Sequence, residues 1–291
     1  MDALQLLISG LANGCVYGLI AMGFVLIYKA TEAVNFAQGD MMMLGAFVAL
    51  GLTNTDYMGL SFYVAVPITL AVMGLVGYLM DAVLLRRMAG QSQIAVVILT
   101  IALGFVARFA AGAIWGHEPQ SLESPMAGLD FRFAGLFLGM DEFFVIIVTV
   151  LLTVGMYLFF AKTKLGLAMQ AASQNQMAAY YMGISVKRIH SMIWALAGVV
   201  AAIAGILFAS KGSIDPSTGL LGIKAFAAAV IGGLGSLPGA LLGGVIIGII
   251  EPFSARYLGG DLARLMPYII LVLILVFRPH GILSQVQSKK V

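Results

Sequence analysis

Few side chains in this sequence are suited to catalysis, and their spacing gives them no partners. The three histidines, His117, His190 and His280, lie in loops or at interfaces, and no His or Asp pair has ligand or dyad spacing inside a predicted span, which argues against an intramembrane enzyme. The single cysteine, Cys15, forms neither a disulfide nor a cysteine-based metal site within one chain. The sequence has no G-x-x-x-x-G-K-S/T loop for a nucleotide phosphate. We therefore predict no catalytic site, no metal site and no cofactor bound by this chain.

The remaining candidates are polar residues that interrupt apolar sequence at two places. The first is the turn N-F-A-Q-G at 35–39, followed by Asp40, and the second is D-P-S-T-G at 215–219, followed by Lys224. Their amide, carboxylate and ammonium groups can hydrogen-bond or ion-pair with a polar solute. The residues expected to border a polar path through the protein are Asn35, Gln38, Gly39, Asp40 and Lys224. The alternative is that both turns are loops at a membrane surface that contact no solute.

The elements that hold these residues are predicted to lie in a membrane. Of the 291 residues, 61% are hydrophobic and 10% are charged, against about 25% charged in an average soluble domain. The mean hydropathy of +1.03 means that apolar side chains outnumber the core positions of a soluble fold, so the outer surface also faces lipid. The net charge of +3 includes no basic stripe with interleaved aromatic residues, so we expect no nucleic-acid partner.

The apolar segments predict an all-α polytopic membrane protein with about 8–9 transmembrane or half-membrane helices, since a span needs about 20 residues. The predicted spans are 4–28, 62–85, 94–115, 143–161, 189–210, 240–254 and 264–277. Shorter apolar helices, 41–53 and 220–231, follow the two polar turns, and the glycine-rich segment 232–239 separates the second from the next span. Irregular backbone of this kind must face water or protein, because unpaired backbone groups cost several kcal/mol in hydrocarbon.

The distribution of charge predicts the orientation of the chain. Ten of the 16 basic residues fall at alternating span ends that we assign to the cytoplasm: Lys29, Arg86, Arg87, Lys162, Lys164, Lys187, Arg188, Arg278, Lys289 and Lys290. The loop 116–142 instead carries five acidic residues and one arginine, as suits an external loop. This assignment places the N-terminus outside the cell and the C-terminus in the cytoplasm. Because the first apolar segment is too long for a cleaved signal, we expect it to remain as an anchor.

The order of elements predicts an internal repeat of opposite orientation. In both halves a long helix ends at a lysine, Lys29 or Lys211, and is followed by a polar turn, a short helix and two further spans. Transporters commonly combine inverted repeats with broken helices. We therefore divide one membrane domain, 1–291, into a first repeat at about 4–115, the external loop 116–142, a linking span 143–161, a cytoplasmic loop 162–188, a second repeat at about 189–278 and a cytoplasmic tail 279–291.

The cytoplasmic loop 162–188 contains a predicted amphipathic helix rich in Ala, Met and Gln that ends at Gly183. One stripe of this helix consists of Met169, Ala172, Gln176 and Ala179. A helix that lies in lipid headgroups usually has basic residues on its polar face, whereas here they only flank the helix. We therefore expect it to dock into a groove on a partner protein.

Four segments of the chain resemble the permease subunit of branched-chain amino acid ABC importers, the bacterial high-affinity type fed by a periplasmic binding protein. The turn V-N-F-A-Q-G-D at 34–40 is similar to the family's N-F-A-H/Q-G-D/E, and 166–184 lies where the family has its coupling helix. The segment K-A-F-A-A-A-V-I-G-G-L-G-S-L-P-G-A at 224–240 is the most specific match, and R-P-H-G-I-L at 278–283 resembles the family's tail. The resemblance covers essentially the whole chain.

The resemblance implies a fold like that of type II ABC importer permeases and a location in the bacterial inner membrane. It implies two cytoplasmic ATPase subunits that hold ATP and Mg, a second permease in a heterodimer, a periplasmic binding protein and surrounding lipid as partners. The coupling helix would meet the ATPase through Gly166, Gln170, Gln174, Asn175 and Gly183. The family often has an Arg and a Glu-Asp pair in this helix, where the present sequence has the amides of Gln170, Gln174 and Asn175.

From the residues alone, an ion-coupled secondary transporter is the alternative function. Such transporters place ionisable residues inside spans, and here Asp40, Asp81 and Arg108 are the candidates. Asp81 lies about one helical turn before Arg86, which favours a salt bridge at the membrane surface. Arg108 either reaches out toward the headgroups or pairs inside the bundle, and Glu251 is expected at an external helix end.

Overall fold

The chain folds mainly into helices, because a backbone in hydrocarbon must satisfy its N–H and C=O groups internally. The computed structural model describes residues 2–88, 90–125, 130–133 and 136–283. The α-helices in these ranges are α1 (Asp2–Thr31), α2 (Gln38–Thr53), α3 (Phe62–Leu79), α4 (Gln93–Trp115), α5 (Met140–Lys162), α6 (Lys164–Gln174), α7 (Gln176–Tyr181), α8 (Val186–Lys211), α9 (Leu221–Gly232), α10 (Leu237–Tyr257) and α11 (Gly260–Phe277). A π-turn, Met80–Leu84, and a 3-10 turn, Leu85–Met88, continue α3.

Seven of these helices, with α3 counted through Met88, are long and apolar enough to cross a membrane. The helices α2 and α9, with 16 and 12 residues, are shorter than the others in the membrane region. Both begin close to the predicted short helices: α2 starts at Gln38, inside the first polar turn rather than at 41, and α9 starts at Leu221, just after the second. The prediction of an all-helical polytopic membrane protein is therefore confirmed. With α3 counted through Met88, the largest shift of a boundary is at the start of α11, at Gly260 rather than 264, and α10 extends from Leu237 to Tyr257 rather than covering 240–254.

Two small β-ribbons, which the sequence did not predict, lie in the connections. The strands β2 (Asp130–Phe133) and β3 (Leu136–Gly139) form an antiparallel hairpin within the predicted external loop. The strand β1 (Gln120–Ser121) pairs with β4 (Ser213–Ile214) and so ties that loop to the connection after α8. Parts of the predicted external loop (126–129, 134 and 135) and of the predicted tail (284–291) lie outside the described residues.

The helices α1 and α8 form the centre of the bundle. We compare the most apolar 18-residue stretch of each helix. The buried share of this stretch is 89% in α1 and 67% in α8, against 17% in α4 and α5 and 11% in α11. Large apolar side chains on α4 and α11, such as Phe109 and Phe277, are exposed. Since a span without a protein neighbour must face lipid or another subunit, α4, α5 and α11 form the outside of the bundle.

Packing between the two halves of the chain is reciprocal. The first helix of each half packs on the third helix of the other half, α1 on α10 and α8 on α3. The short helix of each half packs on the first helix of the other half, α2 on α8 and α9 on α1. Small residues allow this close approach: a Cβ added to Gly14 of α1 would lie 2.7 Å from the Cα of Val245 in α10.

Candidate functional site

The two short helices begin against each other near the centre of the molecule. A 3-10 turn, Pro216–Leu220, leads into α9, and Asp215 caps this turn by accepting a hydrogen bond from the Ser217 N–H at 2.6 Å. A Cβ added to Gly222 of α9 would lie 2.8 Å from the Cα of Gly39 in α2. Glycine at both positions therefore allows the two backbones to touch, and the two polar turns of the sequence meet at one place.

The side chains of Asn35 and Gln38 are fully buried and hydrogen-bonded. The Asn35 Nδ2 donates to Gln38 Oε1 at 3.3 Å, and the Ala37 N–H donates to Asn35 Oδ1 at 3.1 Å. The Gln38 Nε2 donates to the carbonyl of Ala197 in α8 at 3.2 Å. These amides tie the irregular turn 35–39 to the core helix α8. Their predicted contact with a solute stays a prediction.

Asp40 forms an ion pair with Arg108. Of the two positions that the sequence allowed for this arginine, the headgroups or the bundle interior, the structure shows the second. The Arg108 Nε donates to Asp40 Oδ1 at 2.5 Å and its Nη2 donates to Oδ2 at 3.2 Å. Asp40 is 2% exposed, and Gly104 and Gly219 leave room for its carboxylate. The guanidinium also lies 5.3 Å from the ring centroid of Phe105. Arg108 thus pairs inside the bundle and joins α4 to the start of α2.

Lys224 belongs to a second charged cluster, with Glu251 and Tyr17. The Lys224 Nζ lies 2.5 Å from Glu251 Oε1, and the Tyr17 hydroxyl donates to Glu251 Oε2 at 2.9 Å. The ammonium also lies 5.9 Å from the centroid of the Tyr17 ring. The Lys224 and Glu251 side chains are 20% and 21% exposed. This cluster joins α9, α10 and α1 and leaves both charges accessible.

The position expected for Glu251 was wrong. We expected it at an external helix end, whereas α10 continues to Tyr257 and places Glu251 inside the helix. The sequence offered a weak signal, since Lys224 and Glu251 are isolated opposite charges in apolar segments, and such charges tend to pair. Nothing in the sequence pointed to Tyr17 as the third member.

Asp81 lies at the other end of the bundle and takes the role that the sequence favoured. It accepts a hydrogen bond from the Ser191 hydroxyl of α8 at 2.6 Å, and Arg86 lies 3.9 Å from it. Arg86 also donates to Ser191 Oγ at 2.7 Å. The three side chains join α3 to the first turns of α8.

The predicted amphipathic helix of the cytoplasmic loop consists of two helices, not one. Asn175 separates α6 from α7, with extended backbone at φ −154° and ψ 100°, and its Oδ1 accepts a hydrogen bond from the Ala178 N–H at 2.9 Å. The prediction of one continuous helix was wrong because Asn competes for backbone groups and favours an N-cap over a helix interior. Gly183, at φ +80°, follows the end of α7.

The α6 helix is anchored to α5. A Cβ added to Gly166 would lie 2.7 Å from the Cα of Phe160, and Gln170 Nε2 donates to the Phe160 carbonyl at 3.1 Å. Of the predicted stripe, Met169, Ala172 and Ala179 are buried, whereas Gln176 is exposed because the break changes the helical register. Gln174, at the end of α6, is exposed.

The end of α7 projects from the bundle. The side chains of Tyr180, Tyr181 and Met182 are 69%, 77% and 82% exposed. Large aromatic and methionine side chains of this kind are enriched in protein interfaces. The cytoplasmic loop therefore has one end fixed to the bundle and one exposed apolar end, which we call the α7 tip (Tyr180–Met182).

Comparison with known proteins shows the family. Residues 6–275 match the family described as branched-chain amino acid transport system / permease component. The chain is 31% identical to the high-affinity branched-chain amino acid transport system permease protein BraD of Pseudomonas aeruginosa, over 99% of this chain and 98% of that protein. It is 23% identical to the permease protein LivM of Escherichia coli, over 94% of this chain and 69% of that protein.

A solved structure shows the same fold. PsaBC from Streptococcus pneumoniae, determined in complex with Fab, aligns with a TM-score of 0.50 and 15% identity, over 94% of this chain and 91% of that chain. The family match decides between the two functions that the residues left open, and it favours the permease subunit over the ion-coupled transporter. This chain belongs to the family of branched-chain amino acid transport system permease components.

Proposed function

We propose that the chain is the membrane-spanning subunit of an ATP-binding cassette importer in the bacterial inner membrane. It moves branched-chain or similar hydrophobic amino acids from a periplasmic binding protein into the cytoplasm. The family match over residues 6–275 supports this proposal. The chain supplies the path, and two partner ATPase subunits supply the energy with their ATP and Mg.

Energy reaches the chain through the cytoplasmic loop. The observation that carries this step is the arrangement of α6 and α7, with α6 held on α5 through Gly166 and Gln170 while the α7 tip is exposed. A rigid attachment at one end transmits force, and an apolar end fits a groove on an ATPase. Gln174, exposed at the end of α6, supplies an amide contact to the ATPase, and Asn175 holds α7 in place through its cap, so shape and hydrogen bonds dominate the docking.

The path lies where the two short helices meet. Reciprocal packing of α1 on α10 and of α8 on α3 supports two inverted repeats, 4–115 and 189–278, joined by the linking span 143–161. In such transporters the solute crosses at the repeat interface. Of the predicted set, Gly39 and Asp40 of α2 contact the segment 219–222 at the start of α9, and Gln38 contacts Ala197 of α8. The N-terminus lies outside and the C-terminus in the cytoplasm.

Among the predicted path residues, Lys224 is best placed to meet the solute. Its ammonium and the Glu251 carboxylate are each about one-fifth exposed, whereas Asn35 and Gln38 are buried and use their polar atoms within the protein. An amino acid carries one positive and one negative charge, so a lysine–glutamate pair can exchange its internal contact for two contacts with the solute.

A second permease completes the membrane part. The chain resembles both BraD and LivM, two differently named permease proteins of branched-chain amino acid systems, which supports a heterodimer. The exposed faces of α4, α5 and α11 offer the surfaces for this partner and for lipid.

Co-purification of the ATPases tests the coupling step. Replacing the α7 tip by alanine should abolish recovery of the ATPase subunits while the permease still inserts in the membrane. Tyr63→Ala is the matched control, because Tyr63 at the start of α3 is 75% exposed and lies outside the loop. Undiminished ATPase recovery with the altered tip contradicts the coupling role.

A further inference from the structure

A cavity with mixed polar and apolar lining lies between the coupling helix and the bundle, apart from the meeting point of α2 and α9. Its volume is about 610 Å³, and its lining comes from the end of α1, from α5, α6 and α8, from the segment 234–238 at the start of α10, and from Leu283. Binding sites for small molecules commonly have about 300–1,000 Å³. The described residues that line it do not include Gly39, Asp40 or Lys224.

The cavity combines two opposite charges with amide and apolar groups. Lys29, in the last turn of α1, and Glu32, just beyond it, both line the cavity and both are exposed. Gln170 and Gln174 of α6 add amide groups. The remaining lining includes Leu26, Tyr157, Phe160 and Ile193, which offer apolar surface.

Glu32 is held in an unusual backbone conformation. Within the described ranges it is the one residue other than glycine with positive φ, at 54°. Its N–H donates to the Tyr28 carbonyl at 2.8 Å, which closes the end of α1. A left-handed residue at this position is usually Gly or Asn, and conformations of this kind are concentrated at binding and switch sites.

We propose that this cavity binds a zwitterionic amino acid with an apolar side chain, taken from the cytoplasm. Lys29 would contact the α-carboxylate, Glu32 the α-ammonium group, and the apolar wall the side chain. Both protein charges are required, because Lys29 compensates the desolvation of the ligand's carboxylate and Glu32 that of its ammonium group. A molecule with one charge would leave the other protein charge without a counterpart.

Occupancy of the cavity would slow the import cycle. The lining comes partly from α5 and α6, which are anchored to each other, and partly from α1, α8 and the segment 234–238. If the ATPases move α5 and α6 together relative to α1 and α8, a ligand that contacts both groups of helices favours the one arrangement that fits it. The identification of the ligand as the imported product rests on the proposed function, and the effect is product inhibition from the cytoplasmic side.

The test uses the assembled importer in lipid nanodiscs, without the binding protein. We expect radiolabelled L-leucine to bind and to lower ATPase activity at the same concentrations. The anion 4-methylpentanoate and the cation leucinamide, which each lack one charge, should bind at least tenfold more weakly. Equal binding of all three compounds overturns the proposal, because it would show that the two charges of leucine do not contribute to its binding.

Two variants locate the site. Lys29→Gln with Glu32→Asn should reduce leucine affinity at least tenfold and remove the inhibition, while Lys164→Gln, a cytoplasmic lysine that does not line the cavity, should leave both unchanged. If the double variant does not assemble, leucine affinity and inhibition are measured on Glu32→Asn alone, since Asn tolerates positive φ. Unchanged leucine binding in the assembled variants overturns the proposal.

Failure of this inference can be told apart from failure of the proposed function. Wild-type importer that takes up leucine with ATP and binding protein, yet binds none from the cytoplasmic side, contradicts the cavity site alone. Wild-type importer that takes up no branched-chain amino acid contradicts the proposed function, whatever the cavity binds.

Discussion

Asp40 and Arg108 are separated by 68 positions in the sequence and joined by two hydrogen bonds of 2.5 and 3.2 Å between α2 and α4. The carboxylate belongs to the first turn of α2, where the positive end of the helix dipole favours an anion. The pair therefore fixes the start of α2, which at 16 residues is too short to span the membrane.

Breaking this pair should destabilise the protein more than removing both charges. Arg108→Gln leaves a buried carboxylate without a counter-charge, at a cost of about 3–5 kcal/mol, and Asp40→Asn together with Arg108→Gln should recover much of it. The check is thermal unfolding of the detergent-solubilised protein. Arg264→Gln on exposed α11 is the control and should change little. A single variant as stable as wild type contradicts a role for the pair.

The contact between α2 and α9 should not tolerate a methyl group. Gly222→Ala brings a Cβ to 2.8 Å from the Gly39 Cα, and overpacking of this kind typically costs about 1–3 kcal/mol. Gly155→Ala in α5, where a Cβ meets nothing within 4 Å, should be neutral or stabilising. Comparison of the two melting temperatures checks the prediction, and equal values contradict close contact of the two helix starts.

The Lys224–Glu251 pair should matter more for transport than for folding. Lys224→Gln with Glu251→Gln removes both charges and leaves two amides that can still hydrogen-bond to each other, so the protein should assemble normally. If a zwitterionic solute uses these charges, uptake by the double variant should fall at least tenfold. Normal uptake with normal assembly would assign the pair a purely structural role.

Asn175 should act on the coupling loop through its cap. Asn175→Ala loses the hydrogen bond to the Ala178 N–H and, with it, about 1 kcal/mol of helix stability, so α7 should fray and ATPase recovery should fall. Asn175→Asp keeps an acceptor at the same position and should restore recovery. Equal loss in both variants would indicate that Asn175 contacts the ATPase directly.

The spans and the short helices could be predicted because hydropathy and segment length control them. The start of α2 within the turn 35–39, and of α9 just after 215–219, follows from polar residues and glycine that a long helix does not carry. The family motifs at 34–40 and 224–240 lie on these same elements, so sequence and structure point to one region of the chain.

The partners of the charged residues could not be predicted, because they depend on packing between distant segments. The sequence allowed Arg108 to reach the headgroups or to pair inside the bundle. It faces Asp40 because α4 packs beside α2. Glu251 pairs with Lys224 because α10 packs on α9, a contact between two separate helices. The break at Asn175 was missed because a helical stripe continues on either side of it.

Uptake into proteoliposomes tests the central claim most directly. The vesicles would contain this chain with its second permease and two ATPases, and loaded binding protein would be supplied on the external face. We expect leucine, isoleucine or valine to accumulate only when ATP and the binding protein are both present, and ionophores to leave the rate unchanged. Accumulation that proceeds without ATP and stops when the ion gradient is collapsed would contradict the central claim.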